Sequence, residues 1–233
     1  MRIRPDHVAL EQIFELLLEC HGPQHWWPAD SHFEMITGAI LTQNTAWANV
    51  EKAMNNLKAA DVWSFPASLA LPQDTLAGLI RPSGYYNQKA RKLQNFAGFL
   101  DREFDGDIDL LFRLDILELR TTLLGLWGIG EETADDIILY AAKKPSFVID
   151  KYTIRFVDRL GWRVDGDRYG DYQRLFTSRL PADAEIFGEY HALIDRHCHT
   201  TCKKIPLCGD CSLRECCPTG RANLPDDTTS ATR

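Results

Sequence analysis

The sequence predicts an all-α fold, and three observations predict it. Apolar residues recur at helical spacing through almost the whole length. Glycine and proline punctuate the gaps, at Pro66, Pro72, Pro82-Ser83-Gly84, Pro145 and Pro181. The only β-like run, Phe147-Val148-Ile149, is too short to found a sheet.

The first helix is expected from Val8 to Cys20, with Val8, Leu10, Ile13, Phe14, Leu17 and Leu18 near helical spacing. Ser31 opens a second, and Glu34 stands where a capping box needs it. Ile36, Ile40 and Leu41 carry its apolar side. Further helices are predicted over 46–59, 73–80, 87–104, 109–124, 131–143, 151–160, 168–178 and 183–197. No internal repeat is visible, and the tail from Asn223 reads as disordered.

Composition bounds the function. A chain of 233 residues with 45% apolar content can form one large domain or two small ones. No apolar run approaches the roughly 18 residues of a membrane span. Met1-Arg2-Ile3-Arg4-Pro5-Asp6 lacks the apolar core of a signal peptide. A soluble cytoplasmic protein with no membrane partner is expected. The net charge of −7 argues against a uniformly basic nucleic-acid binder but leaves room for a local basic face.

Six of the seven cysteines fall between Cys198 and Cys217. Four of them follow the pattern Cys202-x5-Cys208-x2-Cys211-x5-Cys217. Secreted disulfide frameworks are usually spread along shorter chains, so a reduced thiolate site is the better reading. Thiolate is the soft ligand that both iron–sulfur clusters and structural zinc select. Cys198 and Cys216 compete for the first and last places.

Gly128-Ile129-Gly130 sits between two apolar helices, the first carrying Leu117, Leu119, Leu123 and Leu124, the second Ala134, Ile137, Ile138 and Tyr140. Glycines there permit positive φ and close backbone approach. They also expose amides at the start of the second helix, an arrangement suited to an anion such as a DNA phosphate. Asp150 follows in Val148-Ile149-Asp150 and opens the helix predicted at 151–160, where it can serve as its N-cap.

These features together resemble the helix-hairpin-helix DNA glycosylase superfamily, in its endonuclease III branch. Residues 124–134 are similar to that family's hairpin, and Asp150 stands in a segment like its catalytic aspartate. Leu41-Thr42-Gln43-Asn44-Thr45 and Gly84-Tyr85-Tyr86-Asn87-Gln88-Lys89-Ala90 resemble two of its DNA-facing loops. The cysteines resemble its [4Fe–4S] loop. The resemblance implies two helical domains with a DNA cleft between them. Residues 1–30 with 135–222 would form the cluster domain, 31–134 a six-helix barrel ending in the hairpin, and 223–233 a tail. The implied partner is double-stranded DNA holding a damaged base, bound by a monomer in the cytoplasm at the nucleoid.

The resemblance also assigns roles. Asp150 would stabilise the oxocarbenium-like sugar or activate water. Bifunctional members carry a hairpin lysine whose amine forms a Schiff base, and the matching residue here is Glu132. A carboxylate cannot form an imine, and Lys151 lies beside Asp150 on a helix that points neighbouring side chains apart. A monofunctional glycosylase is therefore expected, with Glu132 assisting at the cleft mouth. His25-Trp26-Trp27-Pro28 and Trp47 resemble the 3-methyladenine glycosylase III subgroup. An aromatic pocket of Trp26, Trp27 and Trp47 would attract a cationic alkylated purine. Gln43 would wedge into the gap left by the flipped nucleotide, with Ile80, Arg81 or Tyr86 as a second wedge. Gly128, Gly130, Thr133 and Lys151 would lie against DNA. Lys89, Arg91, Lys92, Lys143, Lys144, Lys203 and Lys204 are candidate phosphate contacts. Cys202, Cys208, Cys211 and Cys217 would hold the cluster, in a structural and DNA-positioning role. Two alternatives are an oxidised-pyrimidine glycosylase with lyase activity and a catalytically weak cluster-bearing DNA-binding protein.

Overall fold

The computed structural model describes residues 9–223, so Val8 and the tail beyond Asn223 lie outside the described residues. Within them every regular element is helical and no strand forms. No helix among them is long and apolar enough to cross a membrane.

Helix α1 (Leu10–His21) buries Leu10, Ile13 and Leu17 and stops at Gly22, whose φ is +69°. In α2 (His32–Thr42) the Ser31 hydroxyl accepts the Glu34 amide at 3.2 Å. The Glu34 carboxylate reaches back to the Asp30 amide at 3.0 Å, so the predicted capping box closes one residue earlier than expected. Every residue from Phe33 to Leu41 is buried, which makes α2 a central helix rather than an amphipathic surface one.

Helix α3 (Trp47–Ala59) is followed by α4 (Phe65–Ala70), which the sequence reading missed because Pro66 looked like punctuation. Ser64 caps α4, and the proline sits in the first turn, where its missing N–H costs nothing. Helix α5 (Gln73–Leu79) and a 3₁₀ turn at Arg81–Ser83 lead into α6 (Tyr86–Phe104). The buried face of α6 carries Lys89, Ala90, Leu93, Phe96, Ala97 and Leu100.

The helix predicted over 109–124 is two, α7 (Ile108–Phe112) and α8 (Ile116–Leu124). Asp115 breaks it: its backbone is extended, and its carboxylate accepts the Leu117 and Glu118 amides, both at 2.9 Å. Helix α9 (Glu131–Asp136) widens into a π-helical turn at Ile137–Ala141.

Phe147-Val148-Ile149 forms no regular element, is buried, and leads into α10 (Lys151–Leu160). Helices α11 (Tyr169–Thr177) and α12 (Ala184–Thr200) follow, then a 3₁₀ turn at Cys208–Asp210 and α13 (Pro218–Ala222). The sequence reading missed α13 too, again with proline in the first turn.

The chain divides into two units. Trp27–Ser146 forms one, built around α2, with Phe33, Phe65 and Phe96 in edge or tilted contact at 5.1 and 5.3 Å. The described residues through Trp26 and from Phe147 onward form the other. Its core centres on Phe147, stacked on Phe176 at 3.9 Å, with Tyr190 donating to the Leu10 carbonyl at 2.8 Å. The division falls after Ser146 rather than after residue 134, because the hairpin's second helix is anchored within the first unit. Asp135 there is fully buried, bonded by Arg120 at 2.9 and 3.0 Å and by the Ser146 hydroxyl at 2.6 Å.

Candidate functional site

The hairpin turn joins α8 to α9 within the Trp27–Ser146 unit. Gly128 has φ +94°, and a Cβ there would collide with Cγ and Cδ of Lys92. Gly130 is different: its φ is −97° and a Cβ would meet nothing within 4 Å. Only the first glycine of the pair is there for positive φ and close approach. No N-cap side chain closes α9, and Glu131 and Glu132 stand exposed in its first turn, where the helix dipole favours carboxylates.

Gln43, at the C-terminal end of α2, ties this turn to two helices. Its Nε2 donates to the Gly128 carbonyl at 3.2 Å and to the Thr133 hydroxyl at 2.9 Å. Its Oε1 accepts from Lys92 Nζ. Thr133 is buried. Lys89 is only 2% exposed, and its ammonium donates to Leu41 O at 2.8 Å, Thr45 Oγ1 at 2.8 Å and Ser83 O at 2.7 Å. Those bonds use all three of its hydrogens, so Lys89 is not the phosphate contact that the sequence suggested. Burial, and then the neighbouring Lys92 charge, lower its pKa to about 8. Ile80 is fully buried and drops out as a wedge.

Tyr86 is half-buried, with the Arg81 guanidinium 5.9 Å from its ring. The prominent aromatic of this loop is Tyr85, 68% exposed with φ +46°. The sequence places it in the loop but singles out Tyr86, because exposure is not carried by the Gly84-Tyr85-Tyr86 pattern itself. Arg91 lies over the half-exposed Trp127 ring at 4.3 Å. Lys143, Lys203 and Lys204 are exposed.

An aromatic cluster lies in the same unit. Trp27 packs across Gly38, where a Cβ would stand 3.0 Å from its Cζ2. Trp47 meets Trp27 edge-on at 5.2 Å, and Tyr140 lies 5.7 Å away at a tilt. A cavity of about 470 Å³ opens beside Trp27 and Tyr140, with Asp30, His32, Met35 and Lys143 also in its lining, and Trp47 backs Trp27 from outside that lining. The structure thus joins Trp27 to Trp47 and adds Tyr140, which the sequence reading had counted only as helix core. Trp26 is half-buried in the other unit.

Asp150 belongs to that other unit and is the N-cap of α10. Its Oδ1 accepts the Thr153 amide at 2.7 Å. The cap uses Oδ1, so a capping role and a chemical role at Oδ2 can coexist on one carboxylate. Lys151 is exposed, with its ammonium 4.9 Å from the Tyr152 ring.

Cys202, Cys208, Cys211 and Cys217 line one cavity with Phe156, Leu160 and Leu213. Each sulfur has a nitrogen neighbour. Arg159 Nη1 donates to Cys202 Sγ at 3.2 Å, Asn223 Nδ2 to Cys208 Sγ at 3.5 Å and the Gly220 amide to Cys217 Sγ at 3.3 Å. His197 Nε2 lies 3.6 Å from Cys211 Sγ. A bond from the Cys198 thiol, with the Arg159 guanidinium, holds Cys202 below the usual thiol range. Burial raises Cys211 to about 11 and raises Cys217 as well. Buried thiols of this kind become thiolates readily only against a cationic centre, and four of them suit a soft one, an iron–sulfur cluster or zinc. Among the described residues no three His, Cys, Asp or Glu side chains converge as a single metal ion requires. Cys198 is buried against the Tyr152 carbonyl, and Cys216 turns to the Leu213 carbonyl.

The family model described as HhH-GPD superfamily base excision DNA repair protein matches residues 37–182. A Methanocaldococcus jannaschii protein, provisionally named a DNA repair glycosylase, is 44% identical over 208 residues, covering 88% of this chain and 94% of its own. The endonuclease III of Thermotoga maritima is 31% identical over 188 residues, covering 79% and 82%. Among solved structures, the H. pylori 3-methyladenine DNA glycosylase bound to 1,N6-ethenoadenine aligns with TM-score 0.70 and 30% identity, over 80% of this chain and 95% of that one. A trapped endonuclease III–DNA covalent intermediate aligns with TM-score 0.80 over 94% and 100%, at 22% identity, a likeness of fold.

Proposed function

The chain belongs to the HhH-GPD superfamily of base excision DNA repair proteins, and from that membership we propose a monofunctional glycosylase that removes alkylated purines such as 3-methyladenine from duplex DNA. That it is a DNA repair glycosylase, a DNA-binding enzyme acting on N-glycosidic bonds, follows from the family and its relatives. The lesion and the mechanism are our reading.

The observation that carries the lesion is the aromatic cluster of Trp27, Trp47 and Tyr140 beside its cavity. An alkylated purine in its nucleotide is cationic, and each ring face contributes about 0.5–2 kcal/mol of attraction to a cation. The same charge makes the base a good leaving group, so little acid catalysis is needed. Asp150 is assigned the sugar cation or the attacking water. Glu132 at the hairpin position that would otherwise hold an amine supports hydrolysis without a Schiff base. The four cysteines are assigned a [4Fe–4S] cluster that shapes the loop bearing Lys203 and Lys204. Gln43, Tyr85 and the hairpin are assigned to the DNA-facing surface.

The test uses duplexes holding single lesions, assayed with and without hot alkali. Strand breakage only after alkali, on 3-methyladenine duplexes, is expected. Borohydride should trap no covalent adduct; efficient trapping would sink the monofunctional reading. Trp27→Ala should lower excision roughly ten- to a hundred-fold, on the scale of one lost stacking or cation–π partner. Unchanged excision by a folded Trp27→Ala protein would remove the aromatic pocket from the account.

A further inference from the structure

Lysine is almost never fully buried unless its charge is bonded, and a methionine would fill the same space without desolvating an ion. Lys89 nevertheless points into the Trp27–Ser146 unit from the apolar face of α6. Its three acceptors come from two loops distant in sequence. Leu41 O is one of the last carbonyls of α2, and Thr45 Oγ1 lies just beyond it. Ser83 O belongs to the turn before α6. The Thr45 hydroxyl itself donates to Ser83 O, closing a triangle of Lys89, Thr45 and Ser83.

Both loops contain a non-glycine residue in the left-handed region: Asn44 at φ +53° and Tyr85 at φ +46°. Such conformations persist where the surroundings over-determine them. One turn along α6, Lys92 holds Gln43, and Gln43 holds Gly128 and Thr133. Two ammonium groups on one helix therefore tie together the 41–45 loop, the 81–85 loop and the hairpin.

We propose that Lys89 is a positioning residue that never touches DNA and instead fixes the 41–45 loop against the 81–85 loop, so that Gln43 and Tyr85 meet the duplex already in register. This rests on the assignment of those loops to the DNA-facing surface. It does not depend on which base is excised. Preset loops pay no ordering cost on binding, so loss of the clamp should weaken affinity rather than slow chemistry.

The test compares full-length wild type with Lys89→Met, which keeps the stem and removes the charge. Backbone hydrogen exchange should quicken in peptides covering 41–46 and 81–87 and stay unchanged in the peptides of α10 and α12. Affinity for a duplex with a stable abasic-site analogue should fall about tenfold or more, the scale of a lost charge-assisted hydrogen bond. The single-turnover rate at saturating duplex should stay within about threefold, because the clamp acts before the chemical step. Should Lys89→Met fail to fold, Thr45→Val opens the triangle while leaving the ammonium on two carbonyls, and the same pattern is expected at smaller size. Exchange that rises uniformly, or duplex affinity equal to wild type, would overturn the proposal. An enzyme that proved to excise oxidised pyrimidines would leave this result standing, since an abasic duplex reports affinity alone.

Discussion

Replacing Gly128 by alanine should damage the protein far more than replacing Gly130, although both belong to one Gly-Ile-Gly motif. At Gly128, with φ +94°, a Cβ collides with the stem of Lys92. Left-handed backbone costs a non-glycine residue about 1–2 kcal/mol. Moving Lys92 aside also breaks its bond to Gln43 Oε1. A hydrogen bond to a charged group contributes about 1.5–3 kcal/mol. The two effects sum to about 3 kcal/mol or more, which for a unit of this size is a fall in melting temperature on the order of 10 °C. At Gly130, φ is −97° and the space is open. There alanine loses some N-cap preference but also restricts the unfolded chain, and these offset to within about 1 kcal/mol. Thermal unfolding of both variants, with duplex affinity measured in parallel, checks the contrast. Gly128→Ala should also bind duplex more weakly, because Gln43 loses one of its anchors. Equal shifts in melting temperature, or a larger one at Gly130, would refute the reasoning.

Three further outcomes are expected. Lys89 has its pKa lowered from 10.5 to about 8 by burial, so its charged form opposes folding in full below about pH 8, and that penalty is relieved as pH rises toward 10.5. The difference in stability between wild type and Lys89→Met should therefore change by up to about 3 kcal/mol across that window in wild type's favour, and a flat difference would contradict the shift. Asp150→Asn keeps an N-capping side chain for the Thr153 amide, so stability should change by under about 1 kcal/mol while base release is abolished and duplex affinity persists; measurable excision would remove Asp150 from the chemistry. Serine at Cys202, Cys208, Cys211 or Cys217 should abolish bound iron and visible charge-transfer absorption, whereas Cys198→Ser and Cys216→Ser should retain both, and purified protein holding zinc without iron would refute the cluster assignment.

The sequence by itself determined the helical class, the glycine turn between two helices and the gathering of thiols near one end of the chain. These depend on properties that neighbouring residues carry: the period of α1 and α6, the spacing of Gly128 and Gly130, the density of thiols after Cys198. Local chemistry also misled where it was read too simply. Pro66 looked like a break, yet a first helical turn needs no N–H from it, and Asp115 split a continuous apolar pattern by capping its second half. Tertiary structure alone decided which polar groups are satisfied and by whom. Lys89 sits on the apolar face of α6, a hint available in the sequence, but its bond to Leu41 O spans 48 residues, and nothing local names that partner. The same holds for Gly128, whose need for glycine comes from the Lys92 stem, and for Tyr140, whose ring meets Trp27 from far along the chain. Periodicity and capping are set by residues a few positions apart, so they survive in the sequence. Hydrogen-bond satisfaction and steric room depend on atoms that only folding brings within a few ångströms, so they do not.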